Sequence, residues 1–202
     1  MPEPLLELVV RDAPAWRAWL RQHCGEEAGV WLVLAKKGTT KPTSLSYDAA
    51  LEEALAHGWI DGQVRRRDDA TYFQRFTPRR RRSAWSQRNV ALAERLVAEG
   101  RMHPAGAAAI ASAKEDGRWQ AAYAGPATID VPPELTAALD AEPRARAAFD
   151  SLDRHNRYAV LYRVTTARRP ETRARRIEQL VAMLARGETP YPRRQRRSAP
   201  GS

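Results

Sequence analysis

The chain holds a single cysteine, Cys24, in 202 residues, which excludes an internal disulfide and any multi-cysteine metal site. Histidine is scarce as well. His23, His57, His103 and His155 are scattered without ligand spacing, so no metal is expected. The longest apolar run, from Val30 to Ala35, falls far short of the roughly 18 residues a membrane-spanning helix needs. The start, Met1-Pro2-Glu3-Pro4, is acidic where a signal peptide is basic. A cytoplasmic protein with no membrane insertion is the expectation. Also missing are the Walker A loop, Gly-x-Gly-x-x-Gly, Gly-x-Ser-x-Gly and His-Glu-x-x-His, so no cofactor is expected.

Acid is absent where base concentrates. The formal charge is +10, and between Gly58 and Asn89 nine arginines face only Asp61, Asp68 and Asp69, a local +6. After Glu188, Arg193, Arg194, Arg196 and Arg197 add +4 with no acid, and the remainder balances at 21 basic and 21 acidic residues. Lysine occurs only at 36, 37, 41 and 114, and the chain is rich in alanine. That bias toward arginine and alanine has the look of codon composition, so part of the run Arg79–Arg82 reads as solvated surface rather than design.

The pattern predicts one α+β domain, mostly helical, with a small sheet of one strand plus a β-hairpin packed by helices and a C-terminal helical bundle. Asp12 caps a first helix that carries Trp16, Trp19 and Leu20 on one face. Gly29 to Lys37 is a buried strand, and Ser46 to His57 a helix closed by Gly58. Trp59–Arg66 and Thr71–Thr77 form the hairpin about an Arg67-Asp68-Asp69 turn. Ser83 is read as the cap of a third helix ending at Gly100, with Trp85, Leu92, Leu96 and the polar Asn89 on one face. Further helices span about Ala105 to Asp116 and open at Pro133, Pro143, near Asn156, and Pro170. The expected division is 1–130 for the α+β core, 131–188 for a helical segment packed on the same domain, and 189–202 for a disordered basic tail.

Candidate site residues follow from charge and aromatics. In a strand, Trp59 and Asp61 share one face and Ile60 takes the other, which assigns Ile60 to the core. Asp61 is expected either to bridge to Arg75 across the hairpin or to belong to a ligand site beside the indole. The stretch from Thr77 and Arg79 into Ser83, Trp85 and Ser86 reads as a helix N-terminus flanked by arginines, a natural anion site. Lys36, Lys37, Arg75 and Arg79 would supply donors, Trp59 and Trp85 stacking surface, and Asn89 a clamp or a ligand contact. His57, ending a helix, reads as a cation favoured by the dipole rather than a catalyst. Arg173 and Arg176, three apart, form a secondary basic face for an acidic partner.

Several runs in order are similar to the YdeI/OmpD-associated family, also labelled bacteriocin-protection proteins. They include Trp31 with Lys36-Lys37, Gly58-Trp59-Ile60-Asp61-Gly62, and Arg75-Phe76-Thr77-Pro78-Arg79. Ser83-x-Trp85-Ser86-x-x-Asn89, Gly100-x-Met102-x-x-x-Gly106, Gly117-x-Trp119 and Glu171-Thr172-Arg173 with Arg176-Ile177 follow. The resemblance spans about Trp16 to Gly187 and implies protection against antimicrobial peptides, with no activity, substrate or cofactor attached. It departs from the family pattern at His57, where an aromatic residue is usual, and at Tyr162-Arg163, where Trp-Ile is usual.

The function expected is therefore a non-enzymatic stress-protection protein that binds an anionic ligand or an acidic protein partner at the hairpin–helix junction. Sequence-independent nucleic-acid binding is the alternative, and an undescribed enzyme using Asp61 with Ser86 or Asn89 a further one.

Overall fold

The structure, a computed structural model, describes residues 5–25 and 28–192. The chain divides into two compact units, 1–122 and 123–202. Among the described residues there are eight α-helices and one four-stranded mixed sheet, an α+β fold.

The first unit holds β1 (Leu6–Leu8), α1 (Ala13–His23), β2 (Val30–Ala35), α2 (Tyr47–Ala56), β3 (Trp59–Arg66), β4 (Thr71–Pro78), α3 (Gln87–Ala98) and α4 (Pro104–Glu115). Sheet order is β1-β2-β4-β3, with β1 parallel to β2 and the other pairs antiparallel. β1 was not anticipated, because three residues are too few to show an alternating pattern. The helix starts at Asp12 and Ser46 are as expected, each side chain accepting a backbone N–H one turn on.

One sheet face is core. Val30, Leu32, Leu34 and Phe76 pack there with Trp16, Leu20, Leu51 and Leu55 from α1 and α2. Trp59 joins them at 0% exposure while Ile60 is half-buried, so the expected inward role of Ile60 belongs to Trp59. The register explains the swap: Asp61 lies opposite Phe76, and Trp59, two residues away, shares its face. The other face carries Trp31, Val33, Phe73, Arg65 and Arg75. There the Arg65 guanidinium lies over both Trp31 and Phe73, at 4.9 and 4.4 Å, and pairs with Glu7.

A tight approach joins α2 to α4. Gly58 takes φ +78° after α2, and the His103 N–H donates to Ala56 O at 3.0 Å. A Cβ on Gly106 would stand 2.2 Å from Ala56 O, so only glycine lets the start of α4 meet the end of α2.

The second unit holds α5 (Pro133–Asp140), α6 (Pro143–Asp150), α7 (Arg154–Thr165) and α8 (Pro170–Ala185). Three of these open on the prolines that marked them, and Asp153 caps α7. Leu135, Leu139, Phe149, Val160, Ile177, Leu180 and Leu184 form its core. Of the expected disordered tail, 189–202, residues 193–202 lie outside the described residues. Its first residues are held in place instead, because the Tyr191 N–H donates to the buried Asn156 Oδ1 at 2.9 Å.

Candidate anion site at the hairpin–helix junction

β4 leaves the sheet at Pro78, and the Arg79 N–H donates to Gly58 O at 2.9 Å, which pins the outgoing chain to the α2–β3 turn. The next residues do not start a helix. Ser83 closes a turn instead: its N–H donates to Arg80 O at 2.9 Å, and its Oγ accepts the Arg80 N–H at 3.0 Å. The cap is Ser86, whose Oγ accepts the Asn89 N–H at 3.2 Å. The expected start at Ser83 is thus corrected by three residues. The reason is Trp85, which is 2% exposed and packs on Trp119 at 4.8 Å; extended chain carries it inward before α3 begins.

Arg79 and Trp85 do meet. The guanidinium lies 3.6 Å from the ring centroid, and its Nη1 donates to Ala84 O at 3.2 Å. Both indoles are buried, so Trp59 and Trp85 support the site from the core and offer no open stacking surface. Arg118, which sequence reasoning passed over, completes the junction. It is 7% exposed, pairs with Asp116 at 2.7 Å, and donates to Ser83 O at 3.0 Å and Ser112 Oγ at 3.2 Å. Its only signal was an arginine beside a tryptophan in an irregular stretch.

These elements enclose a cavity of about 250 Å³ lined by Cys24, His57, Gly58, Pro78, Arg79, Arg80, Arg81, Ala105, Ala109, Ser112 and Arg118. Arg79, Arg80, Arg81 and Arg118 line it and none of the lining residues carries a carboxylate, although Arg118 is already paired with Asp116. Arg80 and Arg81 are exposed, and neither joins an ion pair among the described residues.

His57 is not the exposed helix-end cation that its position suggests. It is 4% exposed, and burial, the leading cause, pushes its pKa below the ordinary histidine range, so the ring is neutral at neutral pH. Nδ1 lies 2.8 Å from Glu53 O, and the ring stacks with His103 at 4.9 Å.

The other expected residues are elsewhere. Lys36 Nζ donates to Asp68 O at 2.7 Å and Asp69 O at 3.2 Å, so it braces the hairpin turn. That turn is at the far end of β4 from the junction, about 23 Å away along an eight-residue strand, and Lys37 adjoins it in sequence. Asp61 accepts from the Tyr47 hydroxyl at 2.9 Å. The expected Asp61–Arg75 bridge is excluded by register, since Arg75 sits opposite Trp31 on the other face with its stem over Gly62. Thr77, across from Ile60, shares that face with Arg75. Asn89 is buried at the third position of α3, and Ser86 is that helix's cap.

Two further concavities carry less charge contrast. A cavity of about 520 Å³ also lined by His57 holds Arg17, Arg21, Glu53, Arg101 and His103, but Arg17 is engaged by Glu53 at 2.6 Å and Arg101 by Glu52, Glu53 and Glu99. In the second unit, an apolar groove of about 860 Å³ runs between α5 and α8. The secondary basic pair is largely absorbed by its surroundings: Arg173 donates to Ala167 O and faces Glu134 at 3.6 Å, and Arg176 donates to Arg163 O at 2.6 Å.

No described helix is long and apolar enough to cross a membrane, and no described cluster of His, Cys, Asp and Glu could hold a metal ion. No curated protein and no solved structure gives a match to the chain. Residues 128–187 match the family described as bacteriocin-protection, YdeI or OmpD-associated, which carries the second unit's four helices. The junction and the sheet lie instead within residues 8–109, which match a domain of unknown function, DUF8412. That match spans just over half of the 202 residues, so the chain belongs to the DUF8412 family, with a C-terminal segment that is similar to the YdeI/OmpD-associated family.

Proposed function

We propose that the protein is a non-enzymatic, cytoplasmic protection-type protein whose working site binds a small anion where the hairpin's return strand leaves the sheet, beside the end of α2 and α4. One observation carries the reading: four arginines from two distant stretches surround one small cavity that no carboxylate lines. Guanidinium groups bind oxyanions through paired, charge-assisted hydrogen bonds. A volume of about 250 Å³ is roughly eight waters' worth, which suits a small ion and not a polymer segment. The description of the family matched by the C-terminal segment supports the protective role. The test is calorimetric titration of the full chain with inorganic phosphate and with citrate. Replacing the exposed pair, Arg80→Ala with Arg81→Ala, is expected to weaken binding about tenfold or more, since each charged hydrogen bond is worth roughly 1.5–3 kcal/mol. Unchanged affinity in the folded variant would remove the site.

A second reading, sequence-independent nucleic-acid binding, is favoured by the sheet face where Arg65 lies over Trp31 and Phe73 beside Arg75. Interleaved arginines and aromatics of this kind suit backbone phosphates and stacked bases.

A further inference from the structure

α8 is apolar on more of its circumference than the core of the second unit covers. Ile177, Leu180 and Leu184 enter that core. Ala174, Val181, Ala182 and Ala185 lie on a neighbouring face, exposed or half-buried, and line one wall of the groove. Ala138 and Ala141, in and just after α5, line the other. The groove is built wholly from the second unit and the arginine-lined cavity wholly from the first. Alanine walls are low, so the backbone of another helix can approach them closely. The sixteen residues of α8 rise about 24 Å, enough to seat roughly four turns of a partner helix. An apolar trough of that length suits an amphipathic helix laid along it.

Charge chooses the helix. The charged residues lining the groove are Glu134, Glu142, Arg168, Arg173 and Glu178. Arg173 is taken up by Glu134 at 3.6 Å and by Ala167 O at 3.3 Å. Glu142 and Glu178 join no ion pair and no side-chain hydrogen bond among the described residues, and neither does Arg168. Two open carboxylates thus border an apolar trough in a chain of formal charge +10. Arg168 stands just before Pro170, at the N-terminal end of α8, where free N–H groups add positive potential. That end favours the carbonyl end of a partner helix. Glu178 lies about two turns further along α8, where it favours a basic side chain. We propose that the groove between α5 and α8 docks an amphipathic helix with a basic polar face, running antiparallel to α8. The partner's apolar side chains enter between the alanine walls, its basic side chains reach Glu142 and Glu178, and its C-terminus lies at Arg168.

The experiment is fluorescence anisotropy of two labelled helical peptides with the full chain, at about 0.15 M salt to screen long-range attraction. Both peptides carry one leucine face; the polar face is lysine in one and glutamate in the other. The lysine-faced peptide is expected to bind. Glu142→Lys with Glu178→Lys is expected to weaken it about tenfold or more, because two exposed ion pairs become repulsions. Ala174→Gln with Ala182→Gln changes two exposed helical positions, fills the trough without altering charge, and is expected to weaken binding as well. A misfolded charge variant therefore leaves the test intact. A lysine-faced peptide with a central proline, which breaks its helix, is expected not to bind. No binding of the lysine-faced peptide, or binding that neither pair of substitutions weakens, overturns the inference. So does equal binding of the proline peptide, or a glutamate-faced peptide that binds more tightly and is lost on filling the trough. Sedimentation of the wild-type chain as a dimer that the double glutamine variant dissociates gives the groove to a second copy and overturns it too. The anion site is judged separately, by its own titration with phosphate.

Discussion

At the scale of single residues, the junction depends on groups whose roles are set by what touches them. Gly106 is the clearest case. It closes the run Gly100-x-Met102-x-x-x-Gly106, and a Cβ there would meet Ala56 O at 2.2 Å and Met102 Sδ at 2.5 Å. The methionine tail can swing aside, but the carbonyl belongs to a helix end already bonded to His103. Gly106→Ala is expected to destabilise the chain by about 3 kcal/mol, the upper end for an overpacked core. A lower urea midpoint with unchanged slope would be the sign, and an unshifted midpoint would mean the two helix ends do not meet so closely. His57 and Arg118 make the opposite point. Neither role shows in the sequence, where His57 reads as a helix-end cation, because neutrality and burial are properties of surroundings, and those come from α4 and the stretch after it.

At the scale of elements, most boundaries were legible because their signals are local. Asp12, Ser46, Pro133, Pro143 and Pro170 each act within one turn of the helix they open. The hairpin strands fall within a residue of expectation for the same reason. The start of α3 was misplaced because two serines, Ser83 and Ser86, offer equivalent capping chemistry. The choice is made by Trp85, which packs against Trp119 more than thirty positions away. Ser86→Ala is expected to lose about 1 kcal/mol of stability, the usual worth of an N-cap. Thermal unfolding of Ser83→Ala in parallel checks the assignment, and a larger loss there than in Ser86→Ala would reverse it. β1 was missed on length alone, yet it pairs with β2 and brings Glu7 to Arg65.

At the scale of the whole molecule, charge placement separates the two functional readings. The hairpin region carries +6 and the residues after Glu188 carry +4. Deleting residues 193–202 removes Arg193, Arg194, Arg196 and Arg197 without touching the junction lining. Phosphate affinity is expected to stay within about twofold of the full chain at 0.15 M salt, where exposed charges are screened beyond roughly 8 Å. Binding to single- and double-stranded DNA probes serves as the comparison. If nucleic acid is the ligand, affinity falls steeply with salt, at about −0.9 in log–log slope per phosphate contacted on a duplex, and a flat response excludes it.

Composition and local pattern by themselves determined the fold class, the helix starts that carry their own caps or prolines, the hairpin and its turn, and the stretch in which base outweighs acid. Those features depend on neighbours within a few residues, which a sequence displays directly. Only the tertiary structure decided that Trp59 is core, that Asp61 answers to Tyr47 and not to Arg75, and that Lys36 braces the turn. Only it could draw Arg118 and His57 into the cavity beside Arg79. Each of these outcomes turns on strand register or on helix-end packing between segments far apart in the chain, and a local pattern carries no record of either.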